Sequence, residues 1–484
     1  MKGFVRLMAV VVTAAAFAVA CSKDKDSGKI TLDSPAVFFA QAGGSATVGF
    51  TAQNIKTLSA TSKPTGWDEA VVDLAGATIS VKAPSAEDIE SGDAVKTGSF
   101  SFTGYTPGGT LVSATLFAGI VTTKDISAEV ANSYIVSEPE TNYLIDATRK
   151  SDGSLLATSY VDVVWQTASG FVQYADFEDG KASFYIGADS DDATKIKQGN
   201  AVIGAYNADD ELIWSWHIWA TDYDPDAEGG TVDFNGYTLM NRNLGAQAND
   251  NSTTDKILAS YGLYYQWGRK DPFIGPNTYQ GSEGSGASMY SGSGSRVYLK
   301  MSESSAETGT MEYAIRNPLV FITGVADTDN DWLWSGRSDG LWSADGNVAD
   351  KSVNDPCPYG WRVAPSGAFA DLRIVGTPAV GDEAKYGWTL TDGSAESFFL
   401  GAGRRRYDNG KILNIYNPLP KVRSDAMEAQ PWEGLYWTTA VSGTQAAALH
   451  FWFEKLDTSA GIDDSAPYAR ANGLQVRCVK QQGK

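Results

Sequence analysis

Between about residue 28 and residue 124, apolar residues alternate with small polar ones, and no helical period of useful length interrupts them. Ile30-Thr31-Leu32, Ala46-Thr47-Val48-Gly49-Phe50 and Ala77-Thr78-Ile79-Ser80-Val81 each carry this period of two. Such a segment buries one face and wets the other, as a half-buried strand does. Gly43-Gly44 and Gly108-Gly109 stand where hairpin turns are needed. About a hundred residues of this kind predict an immunoglobulin-like β-sandwich over 28–124.

The same reasoning continues downstream. Tyr134–Val136, Asp162–Trp165, Ala182–Ile186 and Ala201–Ala205 read as strands, and Asn207–Asp210 as a turn into Glu211–Trp219. These predict a second β-sandwich over 125–230. In that last strand, alternation sets Trp214 and Trp216 with Leu212 and Ile218 on a core face, and Trp219 with His217 and Ser215 on the other. Residues 231–484 form a third unit, α+β, with strands at Thr231–Phe234, Tyr237–Met240, Ala446–Phe453 and Leu474–Val479 and a helix near Ala368–Leu372. The Gly/Ser-rich stretch Gly281–Ser295 has almost no apolar content and reads as a mobile surface loop. The expected fold is therefore mainly β, with three units in 484 residues.

The N-terminus carries an address. Lys2 and Arg6 precede an apolar run from Leu7 to Ala20, too short to span a bilayer and laid out as a secretory signal over residues 1–20. Ala18-Val19-Ala20-Cys21 resembles a lipobox, which implies a diacylglyceryl thioether on Cys21 and a protein held to a membrane by its acyl chains. The charged tether over 21–27, Ser22-Lys23-Asp24-Lys25-Asp26 within it, resembles the export signal of Bacteroidetes lipoproteins bound for the outer face of the outer membrane. With 38 basic and 58 acidic residues, the formal charge is −20, and losing the signal segment makes the chain more acidic still. Nucleic acid and anionic headgroups are thereby disfavoured as partners. Only two histidines, His217 and His450, are present, which argues against a zinc site built on imidazoles.

Lys63-Pro64-Thr65-Gly66-Trp67 and the following strand resemble the immunoglobulin-like, BACON-type modules that open many Bacteroidetes surface lipoproteins. The third unit resembles the Fibrobacter succinogenes major paralogous domain. The residues that carry this are Leu239–Ala246, Gly262–Phe273, Asp355–Pro365, Tyr436–Thr439 and Val476–Lys480. The resemblance implies a fold similar to C-type lectins and to the formylglycine-generating enzyme. Cys357 and Cys478 occupy the two positions where that family carries cysteines, and in an oxidising envelope such a pair is expected as a disulfide rather than as redox or metal chemistry.

Several residues stand as candidates. Asp327-Thr328-Asp329-Asn330-Asp331 alternates oxygen ligands suited to calcium, but Trp332 and Ser338 stand where an EF-hand needs Gly and Glu. A lectin-like loop using Asp329 and Asp331 remains open against a plain acidic loop. Trp432 and Trp437 flank a loop-like Glu433-Gly434 and are the candidate sugar platform. Asp222, Asp224 and Asp226 lie too close together, around Pro225, to flank a glycosidic bond. Arg404-Arg405-Arg406 is a basic run expected to neutralise nearby carboxylates. No nucleophile elbow, phosphate loop or dinucleotide fingerprint is present. The function that follows is a non-catalytic surface lipoprotein binding glycans or another extracellular ligand, with no cofactor required and calcium as an option. The alternative is a structural subunit of a fimbria-like assembly with partner proteins, for which Arg149-Lys150 would be a processing site.

Overall fold

The alternating segments of the first unit resolve into two facing four-stranded sheets. One runs Lys29–Leu32, Ser45–Gln53, Thr78–Lys82, Val71–Asp73, and the other Ala36–Phe39, Leu111–Ile120, Thr97–Tyr105, Thr57–Ser62. Their inward positions are those the period of two selects: Val48 and Phe50, Ile79 and Val81, Phe100 and Phe102 all reach the core. Each such side chain contributes about 1.5–3 kcal/mol by leaving water. Trp67 plugs the core between Phe39 and Phe100, and its indole N–H donates to the Val95 carbonyl at 2.7 Å, so its polar atom is satisfied. A computed structural model describes residues 27–277, 286–343, 351–377, 385–413, 432–454 and 459–481 of the chain. Cys21 and the signal segment lie outside the described residues.

The strand Thr122–Asp125 pairs in parallel with Thr141–Asp146 and so joins the second unit's sheet, just across the expected boundary at 124. Phe38, Phe117, Tyr174 and Tyr185 pack the seam, with Phe117 stacked on Tyr174 at 5.5 Å. The second sandwich sets that sheet against a larger one ordered Ser133–Val136, Leu212–Ala220, Gly199–Tyr206, Tyr160–Gln166, Met289–Tyr290, Arg296–Val297. Its last two strands come from beyond residue 231. Met289 and Tyr290 belong to the Gly/Ser-rich stretch expected to be a loop. Residues 286–295 instead form part of a hairpin that pairs with Gln166, while 278–285 lie outside the described residues.

The chain is mainly β, and the second and third units share a core. Leu212–Ala220 is buried on both faces. Trp214, Trp216 and Ile218 enter the sandwich core, while Trp219 enters a second cluster with Trp267, Trp332, Trp342 and Trp437. On that second face Lys270 reaches Ser215 and Asp271, and His217 sits between Asn200 Oδ1 at 2.9 Å and Ser133 Oγ at 3.0 Å. Ser133 Oγ in turn lies 2.6 Å from the Pro356 carbonyl. Beyond this seam the third unit is a set of small sheets with two short helices, Thr254–Ser260 and Met311–Arg316.

The helix expected near Ala368–Leu372 is a single 3-10 turn, Ser366–Ala368. Asp371 takes a left-handed φ of 55° three residues on, so no helical nucleus propagates. Cys357 and Cys478 form the expected disulfide, 121 residues apart in sequence, pinning the strand Cys478–Lys480 beside Trp361–Val363.

Two measurements check this architecture. Replacing both cysteines by alanine is expected to lower the unfolding free energy by about 3–5 kcal/mol, by releasing a long loop in the unfolded chain. The second concerns His217, whose pKa burial pushes down to about 3. The unfolded chain takes up a proton near pH 6.5 and the folded one only near 3, so this contribution is complete above pH 6.5 and declines as pH falls through that window. Denaturant titrations at pH 7 and pH 5 should show the native chain losing about 2 kcal/mol more than His217→Gln over that interval.

Candidate functional site

The structure moves the expected aromatic platform into the interior. Trp432 begins the strand Trp432–Ser442 rather than standing in a loop, and it is 1% exposed among Trp388, Phe451 and Phe453. Trp437 is fully buried, its indole N–H donating to the Tyr265 carbonyl at 2.8 Å. This strand is covered on both faces, so neither ring offers a surface on which a sugar can stack.

The expected calcium loop is held by guanidinium groups. Arg337 Nη2 lies 3.1 Å from Asp329, and Arg337 Nε lies 3.5 Å from Asp331. Asp331 is buried, and the fully buried Arg470 approaches it at 3.9 Å while resting on the Trp267 ring. Burial raises the Asp331 carboxyl's pKa against the pull of these cations. Among the described residues no group of three or more His, Cys, Asp or Glu side chains is placed to hold a metal ion. The basic run is engaged internally as well. Arg405 is buried and donates to the Gly410 and Ile274 carbonyls, Arg404 lies 3.5 Å from the buried Glu433, and Arg406 pairs with Asp408. Arg149 pairs with Asp146 within a tight loop.

Of the three turn aspartates, Asp226 pairs with Lys480, and Asp224 accepts from the Asp226 backbone. Asp222 faces elsewhere, into a polar groove of about 520 Å³ whose lining also includes Gln198, Arg242, Gln247, Asp250 and Lys256.

The groove is built by the chain leaving strand Tyr237–Met240. After Asn243, Gly245 takes a φ of 86° against Leu263, where a β-carbon would come within 2.6 Å of that side chain. The backbone of Gln247 then donates to the Ala259 carbonyl at 2.7 Å, tying the loop to the helix Thr254–Ser260. Thr253 caps that helix by accepting from the Lys256 backbone N–H, which fixes Asp255 and Lys256 on the groove's rim.

Within the groove several donors are already engaged, while Lys256, Gln198 and Asn249 also line it. Arg242 Nη1 donates to the Gln247 carbonyl at 2.8 Å and lies 3.5 Å from Asp222, with its guanidinium over the Tyr223 ring at 4.7 Å. Asn241 Nδ2 donates to the Gly229 carbonyl, and Gln247 Nε2 to the Gly199 carbonyl at 3.3 Å. Their amide oxygens, Asn241 Oδ1 and Gln247 Oε1, are buried and accept from no group in the protein. Other unpartnered amide atoms, such as those of Gln475, lie in the interior; these two belong to residues that line a cavity. An unpartnered buried acceptor costs about 1–3 kcal/mol. Asp250 stays anionic, its pKa lowered mainly by the Ser252 backbone N–H.

A second, more open groove of about 730 Å³ is lined by Trp452, Arg373, Ile462 and four aspartates. Three of those carboxylates accept from backbone N–H groups: Asp392 from Asn235, Asp463 from Ser465 and Asp464 from Asp371.

No family model matches the chain, and no curated protein matches it significantly. Solved structures resemble parts of it. An endo-fucoidan hydrolase of glycoside hydrolase family 107 aligns at 8% identity and a TM-score of 0.16, over 41% of this chain and 35% of its own. The adhesin InvE of Yersinia pseudotuberculosis aligns at 13% and 0.13, over 45% and 67%. The Bacteroides ovatus mixed-linkage glucan protein SGBP-B, solved with a heptasaccharide, aligns at 10% and 0.11, over 38% and 42%. The chain spans about a third of the first of these, and at such scores none of them bears on the site.

The loop prediction that follows is direct. Asp331→Ala removes a buried carboxylate that accepts from the Leu333 backbone N–H and faces Arg337, while Arg470 keeps its closer partner Asp339, and is expected to lower the unfolding free energy by about 1–3 kcal/mol. Because Arg337 already pairs with Asp329 and Asp331, millimolar calcium is expected to leave the wild-type melting midpoint unchanged within about 1 °C; a rise would show that the loop binds it.

Proposed function

We propose that this chain is a non-catalytic, surface-facing lipoprotein, anchored through Cys21, that binds glycans in the groove between the Asn241–Asp250 loop and the helix Thr254–Ser260. The observation that carries the reading is an open polar groove of about 520 Å³ lined by Asp222, Asn241, Arg242, Gln247, Asn249 and Lys256, side chains that carry both donors and acceptors. Sugars present closely spaced hydroxyl groups that both donate and accept, and a polar groove suits them better than an apolar ligand. The order of the chain supports the same view: a tether, then sandwich modules that would hold the third unit away from a membrane.

A glycan array probed with the purified chain, in calcium and in EDTA, tests it. The expected result is binding to a defined set of glycans that is the same in both conditions and weakened at least about tenfold by Asn241→Ala or Gln247→Ala, the equivalent of about 1.4 kcal/mol. A blank array from folded protein would remove the reading and favour an architectural role in a surface assembly. Calcium-dependent binding insensitive to both substitutions would move the site elsewhere.

A further inference from the structure

Surface cations of this chain commonly meet a carboxylate, as Arg316 meets Glu211, Arg406 meets Asp408 and Lys480 meets Asp226. Arg296 and Lys300 do not: among the described residues neither forms an ion pair. Both belong to the run Arg296-Val297-Tyr298-Leu299-Lys300, which leaves the hairpin lent to the second sandwich at the edge of its larger sheet. Val297 and Leu299 pack onto the shared core, so alternation turns Arg296, Tyr298 and Lys300 outward, and all three are exposed. At 68% exposure, Tyr298 is the most open aromatic ring among the described residues. The Arg296 guanidinium lies 5.8 Å from the centre of that ring, and its Nη2 donates to Ser288 Oγ at 2.7 Å. The half-buried Tyr290 stands opposite Arg296 in the hairpin, which brings a second ring to the same face. In a chain of net charge −20, this is an exposed stripe of cation, ring and cation.

We infer that the stripe Arg296-Tyr298-Lys300 is a second binding site, for a polysaccharide bearing acidic groups, separate from the groove beside the helix Thr254–Ser260. It does not rest on the reading of that groove. Alternate residues of an extended chain stand about 6.5 Å apart, so one ligand unit seated on the Tyr298 ring leaves its neighbours within reach of a cation on either side. The ring takes the flat C–H face of a sugar, and the guanidinium and ammonium take sulfate or carboxylate oxygens in charge-assisted hydrogen bonds. A neutral glycan would leave both cations unused, and an acidic peptide would bring no sugar face to the ring. The acidity of the rest of the chain does not forbid the contact, because at physiological ionic strength charges beyond about 8 Å are largely screened.

Calorimetric titration of the full chain with dextran sulfate, carboxymethyl-dextran and unmodified dextran oligomers of equal length, and with polyglutamate, tests this at physiological salt. At least one anionic dextran is expected to bind at least about tenfold more tightly than unmodified dextran and than polyglutamate. Arg296→Ala combined with Lys300→Ala should lower that affinity at least about tenfold. Tyr298→Ala should lower it about threefold or more, and Tyr298→Phe should keep it, since the ring and not the hydroxyl makes the contact. All these side chains are exposed, and an unchanged melting midpoint in each variant checks that the fold is intact. Equal binding of unmodified dextran would overturn the charge assignment. Equal binding of polyglutamate, or binding indifferent to Tyr298→Ala, would mean a patch that takes any polyanion, and would overturn the sugar assignment. Binding untouched by the double substitution would overturn the location. No binding of either anionic dextran would overturn the inference as a whole, while the groove's reading would still stand or fall on the glycan array and its own substitutions.

Discussion

One strand, Leu212–Ala220, holds the larger part of this molecule together because it has no wet face. Its even-numbered tryptophans complete a sandwich, and its odd-numbered Ser215, His217 and Trp219 meet the third unit. A strand covered on both sides tolerates no slip of register, since a shift of one residue would drive Trp214 into the polar contacts of Lys270 and His217 into a hydrocarbon core. The neutral His217 and the buried Lys270–Asp271 pair act as registration marks on the face where apolar packing alone would accept several offsets. Lys270 also rests on the Trp214 ring at 4.5 Å, so the polar and apolar sides of the strand constrain one another.

The third unit gives several buried cations the same kind of work. Arg269 donates to Gln266 Oε1 and to the Val320 and Ala314 carbonyls, and Arg477 to Asn243 Oδ1 and the Phe398 carbonyl while covering the Phe399 ring at 3.8 Å. With its sheets so short, few ladder bonds are available, and these side chains satisfy carbonyls that a longer sheet would have paired. A lysine in their place could not present the same planar fork of donors.

That arrangement explains what was legible in the sequence. Strands of period two, the hairpin turns at Gly108-Gly109 and Asn207–Asp210, the split faces of Leu212–Ala220 and the Cys357–Cys478 pairing were all readable, whereas the turn at Gly43-Gly44 joins strands of the two facing sheets rather than closing a hairpin. The hairpin at Met289–Val297 was not, because Gly/Ser composition hides a strand whose pairing partner lies more than a hundred residues away. Trp432 and Trp437 misled because flanking Glu433-Gly434 imitates a loop, while their burial depends on sheets formed elsewhere in the chain. The groove passed unnoticed for a related reason. Asn241 and Arg242 stand within a recognisable motif, yet Gln247 and the helix rim acquire meaning only once the loop folds back on Ala259. The motif residues Arg269 and Lys270, by contrast, turned out to be packing elements.

The hairpin that Met289–Val297 lends to the second sandwich fixes the order of assembly during synthesis. The larger sheet of that sandwich cannot close when residue 230 leaves the ribosome, because two of its strands are still to be made. A chain made from its N-terminus therefore carries an incomplete sheet edge at Tyr160–Gln166 at that stage, and the first sandwich is the one of the two whose described sheets are complete by then. The second and third units must mature together as one cooperative body. Any partner that guards the unfinished chain would have that open edge as its natural point of attachment.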